Sequence, residues 1–126
     1  KTMIVQVTNT GGDVSGNQMD LLIPGGGVGA FNACSAQWGV ANNQLGEQYG
    51  GLLATCRNQN SGAALSVIKN CVLTRCQAIF NNAAKAELLE GCKWFVNWFE
   101  AANNPAMNFK QVTCPAAIVS RSGISH

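Results

Sequence analysis

Hydrophobic and polar positions alternate over residues 2–10 (TMIVQVTNT), where Met3, Val5 and Val7 are set against Ile4, Gln6 and Thr8. A period of two predicts a β-strand, here ending in a Gly11-Gly12 turn. A second short apolar run, residues 19–23, is stopped by Pro24 and three glycines. Residues 31–51 are rich in Asn, Gln and Gly without a sustained period, which predicts surface loops around a short helical turn. From Ser61 the pattern changes: Leu65, Ile68, Val72, Cys76 and Ile79 fall three or four apart. With the Ala-rich run that follows, they predict helix over residues 61–90 after a Ser61 cap. Residues 93–99 (KWFVNWF) are dense in aromatics and fit either element by period alone. Because Asn103-Asn104-Pro105 then breaks the chain before the alternating run 109–114 (FKQVTC), a hairpin of two strands is the simpler reading. The pattern as a whole predicts a mainly β chain with one helical excursion and no internal repeat.

Composition narrows the class. At 126 residues, 47% hydrophobic and 11% charged, the chain can bury a core and needs no more than one domain. Six cysteines, without a CxxC pair and with one histidine at the C-terminus, His126, suit disulfides better than a metal site. That points to a secreted, extracellular protein. No run approaches the length of a membrane span, so no membrane partner is expected. A net charge of +2 carried by scattered Lys and Arg makes no basic patch for nucleic acid. A neutral substrate suits such a surface.

The stretch GGDVSGNQMDLLIPGGGVGAF, residues 11–31, carries the chain's only two aspartates, Asp13 and Asp20, and its densest glycines. Gly25, Gly27 and Ala30 satisfy a GxGxxG/A spacing after a short apolar run, with Glu47 at about the right distance beyond. A dinucleotide site needs those glycines in a βαβ unit with the acidic residue closing a second strand. Glu47 lies instead in the polar stretch GEQYG, so no nucleotide cofactor is expected. A glycine turn that lets a helix start close to a barrel accounts for the spacing more simply.

The run VQVTNTGGDVSGNQMDLLIPGGGVGAFNAC, followed by QWG, QYGG, GCKWFVNWFEAANNPAMNFKQVTCP and a closing SRSG, resembles glycoside hydrolase family 45. That resemblance implies an endo-β-1,4-glucanase on a six-stranded double-psi β-barrel, partial in this chain, with long loops. It covers nearly the whole chain except the segment between Thr55 and Glu90, which is longer and more helical than the family's usual link. The chain corresponds to the later part of the family's catalytic domain, a single domain over residues 1–126. The family's opening Tyr-Trp-Asp-Cys-Cys block has no counterpart within it.

By this resemblance Asp20 is the general acid and Asp13 an accessory aspartate. Hydrolysis with inversion needs one carboxylic acid to protonate the leaving oxygen and one carboxylate about 6.5–9.5 Å away to activate water. Apolar Met19, Leu21 and Leu22 around Asp20 predict partial burial, which favours its protonated form. Asn17 and Gln18 are substrate-binding candidates, although Gln18-Met19 replaces the family's His-Phe. The remaining carboxylates, Glu47, Glu87, Glu90 and Glu100, offer no obvious base, so an upstream segment of the same domain is expected to supply it. Residues Gly25, Gly26, Gly27 and Gly29 take a structural role.

The resemblance also implies that Cys34 and Cys114 pair with upstream cysteines and Cys92 with one nearby, Cys56, while Ile124 replaces a cysteine. Cys71 and Cys76, five apart, cannot bond to each other on one unbroken helix. Among the aromatics, Trp38, Trp94, Trp98 and Tyr49 could stack on sugar rings. Trp38, flanked by Gln37 and Gly39, is the better cleft candidate, and Trp94 and Trp98 read as core. The substrate expected is a β-1,4-glucan, with no cofactor and no metal. The alternative is a non-hydrolytic, expansin-like glucan-binding or wall-loosening protein, which shares the barrel and lacks the base.

Overall fold

The computed structural model describes residues 1–125. It divides into two compact units: Leu22–Pro105, and Lys1–Leu21 with the chain from Ala106 onward.

The Leu22–Pro105 unit is helical. Following α1 (Cys34–Trp38), three longer helices, α2 (Gly51–Gln59), α3 (Leu65–Ile79) and α4 (Ala86–Asn97), build its core. The helices bury one stripe each: Leu52, Leu53 and Cys56 from α2, Ile68, Val72, Cys76 and Ile79 from α3, and Cys92, Phe95 and Val96 from α4. Phe80, just past α3, is 1% exposed and completes the centre of this core. Each fully buried side chain of this size contributes roughly 1.5–3 kcal/mol.

Two disulfides staple the three helices, Cys56–Cys71 joining α2 to α3 and Cys76–Cys92 joining α3 to α4. Five residues of α-helix turn the chain about 140° beyond a full revolution, so Cys71 and Cys76 leave α3 toward different neighbours. The expectation that they do not bond to each other holds. The pairing of Cys92 with Cys56 does not: Cys92 bonds to Cys76, and Cys56 to Cys71. Cys34 and Cys114 are half-buried free thiols.

The double-psi barrel is not formed. Among the described residues the one β-pairing is an isolated antiparallel bridge between Glu47 and Gly51. Residues 2–10, 19–23 and 109–114 carry no assigned strand. In 2–10 and 109–114, apolar side chains are exposed, among them Ile4, Val7 and Phe109 at 50%, 56% and 58%. Period-two patterning makes a strand only where a neighbour supplies ladder hydrogen bonds and a face to bury, and no described segment does so.

Residues 93–99 are also no strand. Lys93 to Asn97 belong to α4, and Trp98 and Phe99 both donate their N–H groups to the Trp94 carbonyl. The reason is a helical stripe that crosses the expected boundary: Cys92, Phe95, Val96 and Phe99 repeat at three and four residues. The helical excursion itself is real but broken. It begins at Leu65 after an Ala64 cap rather than at Ser61, which lies in a turn. It stops at Phe80 and restarts after a 3₁₀ turn, Ala83–Lys85, where the Asn82 side chain accepts the Lys85 N–H at 3.2 Å.

The other unit holds one helix, α5 (Ala116–Ser122), started after Pro115 and ended by Gly123 at φ 73°. Its two segments are tied by the Gln6 side chain, whose Nε2 donates to the Ile124 carbonyl at 2.7 Å.

Candidate active site

The stretch that carries the two aspartates begins in a turn. The Val14 N–H donates to the Gly11 carbonyl at 3.4 Å, which places Asp13 inside the turn. Asp13, Asn17, Gln18 and Asp20 are all exposed, on a connection without regular secondary structure. The partial burial expected at Asp20 is therefore absent. Met19 is 37% exposed and Leu22 fully so, so these neighbours form no apolar wall around the carboxylate. Gln18 folds back locally, its Oε1 accepting the Ser15 N–H at 3.3 Å. That bond leaves the amide nitrogen of Gln18 available for another partner.

Beyond Asp20 the chain enters a tightly specified turn. The Gly26 N–H donates to the Ile23 carbonyl at 2.8 Å, with Pro24 and Gly25 as its central residues and Gly25 at φ 91°. Proline first and a positive-φ glycine second is the type II arrangement. This turn interlocks with the backbone around Gly50. A Cβ at Gly27 would stand 2.6 Å from the Gly50 nitrogen and 2.7 Å from the Gln48 carbonyl oxygen, and one at Gly51 would run into the Gly25 carbonyl. The two loops also exchange hydrogen bonds, Leu52 N–H to Gly25 O at 2.9 Å and Gly29 N–H to Gln48 O at 3.0 Å. The glycines thus allow one backbone to pass against another.

The glycine loop does not have the form of a dinucleotide-binding turn. No helix opens directly after the glycines, since α1 starts at Cys34. Glu47 is engaged with Gly51 through reciprocal backbone bonds of 3.2 and 3.0 Å. Among the described residues no group of three or more His, Cys, Asp or Glu side chains could hold a metal ion.

An open pocket of about 260 Å³ lies beside the interlock, lined by Val28, Gly29 and the amides of Asn32, Asn42 and Gln48, among others. The amides are partly committed: Asn32 Nδ2 donates to Asn42 Oδ1 at 3.1 Å and Gln48 Nε2 to the Gly29 carbonyl at 3.0 Å. Of the residues singled out from the sequence, Gly29 and Ala30 line it.

The aromatics are placed in the reverse of the expected order. Trp38 is half-buried, its ring edge-on to Phe80 with centroids 5.0 Å apart, so it packs on the core. Trp94 is 38% exposed and stacks on Trp98 and Phe99 at 5.4 and 5.5 Å. Tyr49, at 68%, is the most open of the four.

Two residues that matter here were not singled out from the sequence. Lys85 donates from Nζ to the carbonyls of Trp38 and Ile79, and Gly91 lies against the ring of Pro24. Gly91 had a visible signal, a glycine in the middle of an amphipathic helix. Lys85 had none, because both its partners are backbone carbonyls.

The profile of glycosyl hydrolase family 45 matches residues 1–87 and 75–125. The chain is 59% identical over 126 residues to Endoglucanase B of Cellvibrio japonicus (strain Ueda107), covering 99% of this chain and 25% of that one. It is 42% identical over 120 residues to an Endoglucanase of Cryptopygus antarcticus, covering 95% and 43%. A Putative endoglucanase type K of Fusarium oxysporum is 40% identical over 124 residues, covering 98% and 26%. The chain thus spans between about a quarter and under half of these relatives. No solved structure matches.

Proposed function

The chain belongs to glycosyl hydrolase family 45, and from that membership we propose that it is the later, acid-bearing portion of the catalytic domain of an endo-β-1,4-glucanase, a cellulase. The reaction is hydrolysis of internal β-1,4-glucosidic bonds with inversion. Its substrate is cellulose or a related β-1,4-glucan, and the protein is secreted. The observation that carries this reading is the match of the family profile over residues 1–87 and 75–125, joined to near-complete coverage of this chain by proteins named endoglucanases. Nothing observed favours the expansin-like alternative. Two disulfides within a short chain support an oxidising compartment.

In this mechanism Asp20 protonates the glycosidic oxygen as the bond breaks, and Asp13 is an accessory carboxylate on the same connection. A general base on the opposite face of the sugar activates water. Glu90 is ion-paired to Lys93 on the surface of α4, and Glu47 lies in the loop bridged to Gly51. Following the family resemblance, the base is assigned to an upstream segment of the same domain.

The test is Asp20→Asn in a polypeptide that contains these residues and cleaves soluble β-1,4-glucan. Loss of about 10²–10⁴ in rate is expected, with inversion at the anomeric carbon in the native enzyme. Retention of more than about a tenth of the rate would remove Asp20 from the role. Residues 1–126 by themselves are expected to turn over carboxymethylcellulose no faster than their Asp20→Asn variant. Turnover that Asp13→Asn abolishes would instead make Asp13 the second carboxylate.

A further inference from the structure

The pocket beside the glycine interlock lies wholly within the Leu22–Pro105 unit. Three side-chain amides line it and no charged side chain does. Each amide is held by its surroundings. Asn32 Oδ1 accepts the Ser35 N–H of α1 at 3.2 Å, and its Nδ2 donates to Asn42 Oδ1 at 3.1 Å. Asn42 opens a 3₁₀ turn, Asn42–Leu45, anchored by the buried Leu45 and closed where the Ala41 N–H donates to Gln44 Oε1 at 2.9 Å. Gln48 donates from Nε2 to the Gly29 carbonyl, and its loop is pinned by the Glu47 N–H, which donates to Thr55 Oγ1 at 2.9 Å.

These bonds fix which group each amide has left to offer. With its oxygen engaged by Asn32, Asn42 keeps Nδ2 as a donor; with its nitrogen engaged by Gly29, Gln48 keeps Oε1 as an acceptor. The pocket thus offers a donor and an acceptor without charge. A hydroxyl both donates and accepts, so a neutral molecule rich in hydroxyls complements the pair, whereas a carboxylate or phosphate would find no cation there. At Gly29 the space that a Cβ would take is open. A volume of about 260 Å³ falls just below the roughly 300–1,000 Å³ of sites for drug-sized ligands, which suits a single sugar unit. Phe31 and Tyr49, next in the chain to the lining residues Ala30 and Gln48, are exposed aromatics of the kind that stack on sugar rings.

We propose that this pocket is a saccharide subsite, in which Asn42 Nδ2 donates to hydroxyls of one pyranose unit of a β-1,4-glucan and Gln48 Oε1 accepts from them. The choice of glucan rests on the endoglucanase reading; the match to a neutral, hydroxyl-rich ligand rests on the amides alone. Because the amides are positioned before the sugar arrives, little side-chain ordering accompanies binding.

Titration of the isotope-labelled chain with cellotetraose, followed by nuclear magnetic resonance, tests it. Saturable shifts are expected at the side-chain amides of Asn42 and Gln48 and at the Gly29 N–H, with a Kd on the order of 1 mM. Asn42→Asp keeps the oxygen that accepts from Asn32 and removes the outward donor, so it should weaken binding by about tenfold or more. Gln48→Ala, which removes the acceptor, should weaken it by a similar factor. Absence of saturable shifts at these amides up to about 50 mM cellotetraose, or binding that survives both substitutions, overturns the proposal. Silent pocket amides in a protein whose glucan cleavage Asp20→Asn abolishes remove the subsite and leave the catalytic reading intact. Saturable pocket shifts where a polypeptide containing these residues cleaves no β-1,4-glucan remove the catalytic reading and leave the subsite.

Discussion

Lys85 donates from Nζ to the carbonyl oxygen of Trp38 at 2.6 Å, and the same ammonium reaches the Ile79 carbonyl at 3.2 Å. Trp38 and Ile79 are the last residues of α1 and α3, where unsatisfied carbonyls gather partial negative charge. One half-buried cation thus closes two helix ends. Lys85→Met keeps the aliphatic stem and loses both bonds, so it should destabilise the protein by about 2–3 kcal/mol in urea unfolding. A loss below about 0.5 kcal/mol would show that water replaces the ammonium at both carbonyls.

The Gly27–Gly50 approach yields a second prediction. With backbone atoms 2.6 and 2.7 Å from a Cβ at Gly27, neither loop can yield without breaking its hydrogen bonds. Gly27→Ala should cost about 2–3 kcal/mol. Gly62→Ala, in open space at φ 76°, should cost only about 1 kcal/mol. Equal costs would mean that close approach is not the reason for Gly27.

The tryptophans differ in what their removal should do. Trp38→Ala empties a site packed edge-on against Phe80 and is expected to cost about 3–4 kcal/mol. Trp94→Ala removes a side chain that is 38% exposed and held by ring stacking, and should cost about 1–2 kcal/mol. Thermal unfolding of the two variants distinguishes them, and the reverse order would contradict the packing described.

Each disulfide closes a loop of similar length, with sequence separations of 15 and 16 residues. Replacing either pair by serines should therefore lower stability by a similar amount, about 3 kcal/mol. Only loss of Cys76–Cys92 should also accelerate exchange at Leu52, because Gly25 rests on Cys76. Measuring both variants by denaturant melts and amide exchange checks this.

Amino-acid order alone determined the helix of α3, through its three-and-four spacing, and the need for Cys71 and Cys76 to bond elsewhere. It also marked the glycine run as a turn made for close approach, although toward a barrel, whereas the segment that Gly27 meets is the loop around Gly50. The family was legible because short blocks at fixed spacing survive without their neighbours. α5 was not expected: a flanking Pro115 and Gly123 carry little weight beside a seven-residue helix. What only the tertiary structure decided are the properties that belong to pairs of segments. Residues 2–10 and 109–114 alternate as strands do, yet a strand exists only where a partner completes its ladder. Residues 93–97 became helix because Cys92, Phe95, Val96 and Phe99 share a stripe facing α3, whose disulfide holds α4 in place. The burial of Trp38, the exposure of Asp20 and the seating of Pro24 on Gly91 depend on what lies opposite, which no local pattern encodes.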